Sequence, residues 1–222
     1  MAIKLDENSQ GIAYGVSAYM LWGCFPLFFA LFDGVPAYEI LVHRIVWSCV
    51  FLTLLITLMR RWAPVVNALA HPGRLGRVAG CAVLIALNWG VYIYSVETHH
   101  VLQASLGYFL TPLINVALGM LILRERMARL QGVAVALAVV GILVQLVLLG
   151  TIPWIAVILA LSFGTYGLLR KQVLLDGLSG LFVETLLLLP LALLALAAMA
   201  QLELSHFTQD ARTLMLLLAS GV

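Results

Sequence analysis

The chain has 222 residues, 64% of them hydrophobic and 10% charged. Its mean hydropathy of +1.09 exceeds what a soluble core explains, because soluble domains carry about 25% charged residues. The net charge of +2 is too small for a nucleic-acid footprint, and Cys24, Cys49 and Cys81 lie apart inside apolar stretches, without disulfide or zinc spacing.

The expected fold class is therefore an all-α integral membrane protein, with no metal, no cofactor and no nucleic acid as partner. A bilayer core is crossed by about 20 apolar residues, which places spans at 11–32, 40–59, 75–96, 101–123, 132–149, 152–169 and 179–200. The first run is longer than a signal-peptide core of about 7 to 15 residues and follows a tail, 1–10, so it is expected to be retained. Residues 132–169 as one helix would be roughly 57 Å long, so the chain must fold back at Gly150-Thr151-Ile152-Pro153. An eighth apolar stretch starts at Thr213 and reaches only to Val222. Half a span cannot cross, so the chain is expected to be a fragment of a longer protein rather than to end in an interfacial segment.

Basic residues set the topology. Lys4, Arg60, Arg61, Arg74, Arg77, Arg124, Arg126, Arg129, Arg170 and Lys171 share one side if the N-terminus is cytoplasmic, and Arg212 falls on the other. Leu21-Trp22-Gly23-Cys24-Phe25-Pro26-Leu27 in span one also aligns weakly with Ser162-Phe163-Gly164-Thr165-Tyr166-Gly167-Leu168 in span six. An offset of five spans inverts the second unit, giving an expected inverted repeat with a first five-helix unit at 11–149 and an incomplete second at 152–222.

Charge inside the spans is the strongest functional signal. A central arginine costs roughly 2.5 to 3.5 kcal/mol on insertion scales, so it tends to face water or a partner. Arg44, with His43 beside it, reads either as an outer-end pathway residue or as a snorkelling side chain that meets Glu39 or lipid headgroups. In span four, Ser105, Tyr108, Pro112, Asn115 and Gly119 follow spacings of three and four, so they share a face that either lines a cavity or bonds to neighbouring helices. Span three adds Asn88, Tyr92 and Ser95, with Asn88 nearest mid-membrane. Trp22 and Phe25 are candidates to stack on an organic solute, against plain packing. In span six, Tyr166 shares a face with Ser162 and Arg170, and Arg170 itself reads as an interfacial anchor.

Glu184 is the acidic counterpart of Arg44. Hydrocarbon favours the neutral form of a carboxyl, so Glu184 is a candidate for proton coupling or cation binding, against a structural hydrogen bond. Arg44 lies roughly 8 Å to the outer side of its span centre and Glu184 as far to the inner side, which separates them by roughly 16 Å and argues against a direct pair. His71, His99, His100 and His206 read as loop residues. No G-x-S-x-G, H-E-x-x-H or P-loop pattern occurs, so no enzyme is expected.

Tyr38-Glu39-Ile40-Leu41-Val42-His43-Arg44-Ile45-Val46-Trp47-Ser48, Asn88-Trp89, Ala104-Ser105-Leu106-Gly107-Tyr108-Phe109, Thr111-Pro112-Leu113-Ile114-Asn115 and Glu184-Thr185-Leu186-Leu187-Leu188-Leu189-Pro190 together resemble the RarD branch of the drug/metabolite transporter superfamily, whose repeating unit is the EamA domain. The resemblance covers nearly the whole chain. It implies a ten-helix bacterial inner-membrane transporter of two inverted halves, in a branch named for chloramphenicol sensitivity, of which this chain would lack about two and a half helices. The expected function is secondary-active transport of a small organic metabolite or drug by alternating access. Partners would be that solute, membrane lipid and, as a candidate, a second copy of the chain in a homodimer. A non-transporting assembly or regulatory subunit is the alternative reading, and an intramembrane enzyme the third.

Overall fold

The computed structural model describes residues 7–122, 124, 127–207 and 210–221. Lys4, Leu123, Arg126 and Val222, which entered the readings above, lie outside them. The described residues form ten helices: α1 (Glu7–Gly23), α2 (Phe25–Phe29), α3 (Ala37–Leu58), α4 (Trp62–Ala70), α5 (Pro72–Glu97), α6 (Val101–Ile122), α7 (Arg129–Leu149), α8 (Trp154–Val173), α9 (Gly177–Gln201) and α10 (Ala211–Ala219). Seven segments are long and apolar enough to cross a membrane, in the expected order. The protein is an all-α integral membrane protein.

Four local features refine the sequence reading. Pro26 breaks the first span, because it cannot donate to the carbonyl four residues back, and α1 gives way to α2 at Cys24. Between spans two and three, where no helix was placed from the sequence, the chain forms the short helix α4. The turn between spans five and six falls where Gly150 adopts a left-handed φ of 67° and Pro153 precedes α8. Span six does not end at Leu169 as expected but continues to Val173, so Arg170 lies within the helix.

The two ends of the bundle are tied separately. At the basic end, Arg61 pairs with Asp176 at 3.5 Å, and Arg77 donates to the Gln172 carbonyl at 3.2 Å. Asp176 also caps α9 by accepting from the Ser179 N–H at 3.1 Å. At the other end, the Ala37 N–H donates to the Glu97 carboxylate at 3.0 Å. There Glu39, fully buried, accepts from the Ser205 hydroxyl at 3.1 Å and the His206 N–H at 2.6 Å, with the His206 ring 2.7 Å away. His206 is thus not an ordinary loop residue. It holds the connection before α10 to the first turn of α3.

Inside the bundle α8 packs against α5 and α6, while α9 packs against α3 and α5. One apolar cluster gathers Phe29, Ile40, Ile93, Ile155, Leu159 and Leu217, and a second gathers Leu52, Ile56, Val78, Val173, Phe182 and Val183. No described residue of α7 is buried. The α6–α8 approach depends on Gly107, where an added Cβ would lie 3.0 Å from Leu159 Cβ and 3.1 Å from the Ala156 carbonyl oxygen. Gly107→Val is expected to force the two helices apart and cost about 1 to 3 kcal/mol, measured as a lowered midpoint in micellar unfolding. A midpoint equal to that of the parent would mean that the contact relaxes freely.

Candidate functional site

Arg44 sits on α3 among aromatic rings contributed by α2 and α5. Its guanidinium carbon is 4.4 Å from the Trp89 ring centre, 5.5 Å from that of Phe25 and 5.7 Å from that of Phe29. Cation–π contacts of this kind contribute about 0.5 to 2 kcal/mol each, more as water is excluded. The break at Cys24 presents Phe25 and Phe29 to this site, because their spacing of four places them on one side of α2. One polar contact completes the seat: Arg44 Nη1 donates to the Ser220 carbonyl at 3.2 Å. The Nε is buried and has no hydrogen-bond partner among the described residues, and no described carboxylate pairs with Arg44; the ion pairs run Arg61–Asp176, Arg170–Glu184 and His206–Glu39.

Two cavities adjoin one another here, and the smaller reaches this arginine. A small one of about 30 Å³ is lined by Arg44, Asn88, Trp89 and surrounding rings. A larger one of about 530 Å³ is lined by Ser105, Thr111, Pro112 and Asn115 of α6, with Tyr19 of α1. Trp22, Tyr92, Tyr108 and Phe163 border both. Their rings form a partition: Trp22 lies 5.9 Å from Tyr108 and 5.8 Å from Phe163, and Tyr92 lies 6.0 Å from Tyr108. Asn88 has a second task, because its amide donates to the Leu159 carbonyl at 3.1 Å and to the Ser162 hydroxyl at 3.0 Å. It therefore ties α5 to α8 as well as lining the small cavity.

A second polar cluster lies toward the basic end. Glu184 is fully buried on α9; its Oε1 is 3.6 Å from Arg170 Nε, and its Oε2 accepts from the Tyr166 hydroxyl at 3.2 Å. Arg170 also donates to the Asp176 carbonyl at 2.8 Å. Gly180 makes the arrangement possible, because a Cβ there would collide with the Arg170 guanidinium. The anchor reading of Arg170 is thereby corrected. Because α8 continues past Leu169, Arg170 stays on the Tyr166 face, one helical turn on, where it pairs with the carboxylate.

The EamA-like transporter family matches residues 9–147. Protein RarD of Salmonella typhi is 45% identical over 217 residues, covering 97% of this chain and 74% of that protein. An uncharacterized transporter of Vibrio cholerae is 46% identical over 218 residues, covering 98% and 72%. The chain belongs to the EamA-like transporter family. It is a RarD-like, multi-pass membrane transporter. The chloramphenicol-sensitive protein RarD of Pseudomonas aeruginosa is a more distant relative of this EamA-like chain, 34% identical over 194 residues, covering 85% and 64%. No solved structure matches it.

Of the residues singled out in this EamA-like sequence, the fold brings Trp22, Arg44, Asn88, Tyr92, Ser105, Tyr108 and Asn115 to the paired cavities. Tyr166 and Glu184 lie apart with Arg170. His43 faces neither cavity; its ring stacks on Phe207 at 4.7 Å and accepts from the Trp47 indole N–H at 3.3 Å. Phe29, Phe163 and Tyr19 were not singled out from the sequence. Phe29 follows Phe25 at one helical turn, a signal that was legible; the crossing of α8 that delivers Phe163 was not.

Proposed function

We propose that this EamA-like chain is a secondary-active transporter that moves a small organic metabolite or drug across the bacterial inner membrane by alternating access. The observation that carries this reading is the 530 Å³ cavity within the helix bundle, which leads through an aromatic partition to Arg44. Volumes of about 300 to 1,000 Å³ suit small organic ligands. Trp22, Tyr92, Ser105, Tyr108 and Asn115 form the solute's path, and Asn88 and Arg44 its inner wall. Glu184 binds and releases the coupling proton, with Tyr166 and Arg170 holding it in place.

The basic loops face the cytoplasm in this reading, and with them the N-terminus; the Arg61–Asp176 and Arg77–Gln172 contacts support a shared side for two of those loops. Residues 11–149 form one repeat and 152–222 belong to its inverted partner. The unburied α7 meets lipid or a second copy of the chain.

Uptake of a metabolite and drug panel into proteoliposomes tests the proposal. At least one solute is expected to cross faster than into protein-free vesicles, and to be slowed when Trp22 or Tyr108 is replaced by alanine. A panel in which no solute crosses faster than into empty vesicles would remove the transporter mechanism.

A further inference from the structure

Within that reading, the geometry points to the chemical class of the solute: we infer that it is an organic monoanion, a carboxylate on an apolar and preferably flat body, whose charged end binds Arg44. This rests on the proposed transport function for its path but not for its binding chemistry. Four observations converge on it. Among the described residues, Arg44 is the only Lys, Arg, Asp or Glu that lines either cavity. Among the described residues it has no carboxylate partner, unlike Arg170 and Arg61. The tyrosines that line the small cavity with it, Tyr92 and Tyr108, carry phenols and not carboxylates. Its Nε is buried and has no hydrogen-bond partner among the described residues.

A guanidinium recognises an oxyanion through its N–H edge. The rings of Phe25, Phe29 and Trp89 lie 5.5, 5.7 and 4.4 Å from the Arg44 guanidinium carbon, which confines the group and offers it no anion. Ser220 takes a single donor on Nη1. The 30 Å³ space beside Arg44 exceeds the roughly 10 to 15 Å³ that one water needs and is far below a solute's volume, so it suits a small polar head rather than a whole solute. The body of the solute then lies against Trp22, Tyr108 and Phe163 and extends into the larger cavity. One cation selects one negative charge, because a dianion would bring an uncompensated charge into the bundle. A neutral or cationic solute would leave the charge of Arg44 unmatched.

The test uses phenylacetate and phenylacetamide, which share shape and differ in charge. The protein in phospholipid nanodiscs is titrated with each while tryptophan emission is read, since Trp22 and Trp89 line the small cavity. Phenylacetate is expected to bind at least about tenfold more tightly than the amide, the scale of one charge-assisted hydrogen bond. Arg44→Gln should abolish that preference and keep the amide's affinity. Arg44→Lys, which keeps the charge and loses the planar fork of donors, should lower the preference without abolishing it, and it stands as the second variant if Arg44→Gln does not fold; an unchanged preference in it overturns the assignment. Equal affinities in the parent, or a preference that survives Arg44→Gln, overturn the assignment. So does a preference found in maltoside micelles but lost in nanodiscs, because a lipid phosphate would then be the anion bound.

Flux of the same two probes into proteoliposomes separates the two layers of argument. Preferred binding of phenylacetate with no flux of either probe supports the anion site and counts against transport. Flux of the amide without binding or flux of phenylacetate supports transport and overturns the anion assignment.

Discussion

Arg170→Leu is expected to destabilise the folded protein by about 3 to 5 kcal/mol, the usual cost of breaking a buried ion pair from one side. Glu184 is fully buried, and its one cationic neighbour among the described residues is Arg170 at 3.6 Å. Without that neighbour the carboxylate keeps only the hydrogen bond from Tyr166, and a charge in a low-dielectric bundle is costly when unmatched. The double variant Arg170→Leu with Glu184→Leu should recover most of the loss, because an apolar replacement of both partners removes the desolvation cost as well as the attraction. Unfolding in mixed micelles measures both. Single and double variants of equal stability would show that the two side chains do not interact. Gly180→Ala provides an independent route to the same pair, since the new methyl occupies the position of the Arg170 guanidinium.

The second large effect is on coupling. Glu184→Gln is expected to abolish proton-driven accumulation of solute, so that the internal concentration rises no higher than the external one, while exchange of solute for solute continues. An amide has nearly the shape of the carboxyl and accepts from Tyr166 in the same way, but it cannot release a proton or take one up. The measurement is uptake into proteoliposomes with and without an imposed pH gradient. Accumulation that persists in the variant assigns the proton to another group and leaves Glu184 as the partner that holds Arg170.

The order and number of the spans were legible because length and hydropathy alone decide what crosses a bilayer. The fold-back at Gly150 and Pro153 was legible for the same reason, with turn chemistry to mark the place. One polar face was also readable: Ser105, Tyr108, Pro112 and Asn115 repeat at helical spacing, and all four line the larger cavity. What escaped were pairings between helices. Nothing near Arg170 announces a partner fourteen residues ahead, because the contact requires the extra turn of α8 and the missing side chain of Gly180. The Glu39–His206 contact joins positions more than 160 residues apart, and neither local spacing nor hydropathy carries that information. Arg44 was recognisable as costly from the sequence. Its ring of aromatics was only partly so, since Phe25 and Phe29 face it only after the chain breaks at Cys24.

The pairing of Arg170 with Glu184 also bears on how the chain enters the membrane during synthesis. The two side chains belong to consecutive helices joined by a connection of three residues, Leu174, Leu175 and Asp176. If α8 and α9 left the translocon one after the other, each would carry a lone charge into the membrane, at a cost that reaches about 2.5 to 3.5 kcal/mol at a helix centre and less toward its end. Released as a hairpin, they partition with the charges already neutralised, and the short connection keeps the partners close enough to find each other. The lower-cost route therefore makes α8 and α9 one unit of insertion.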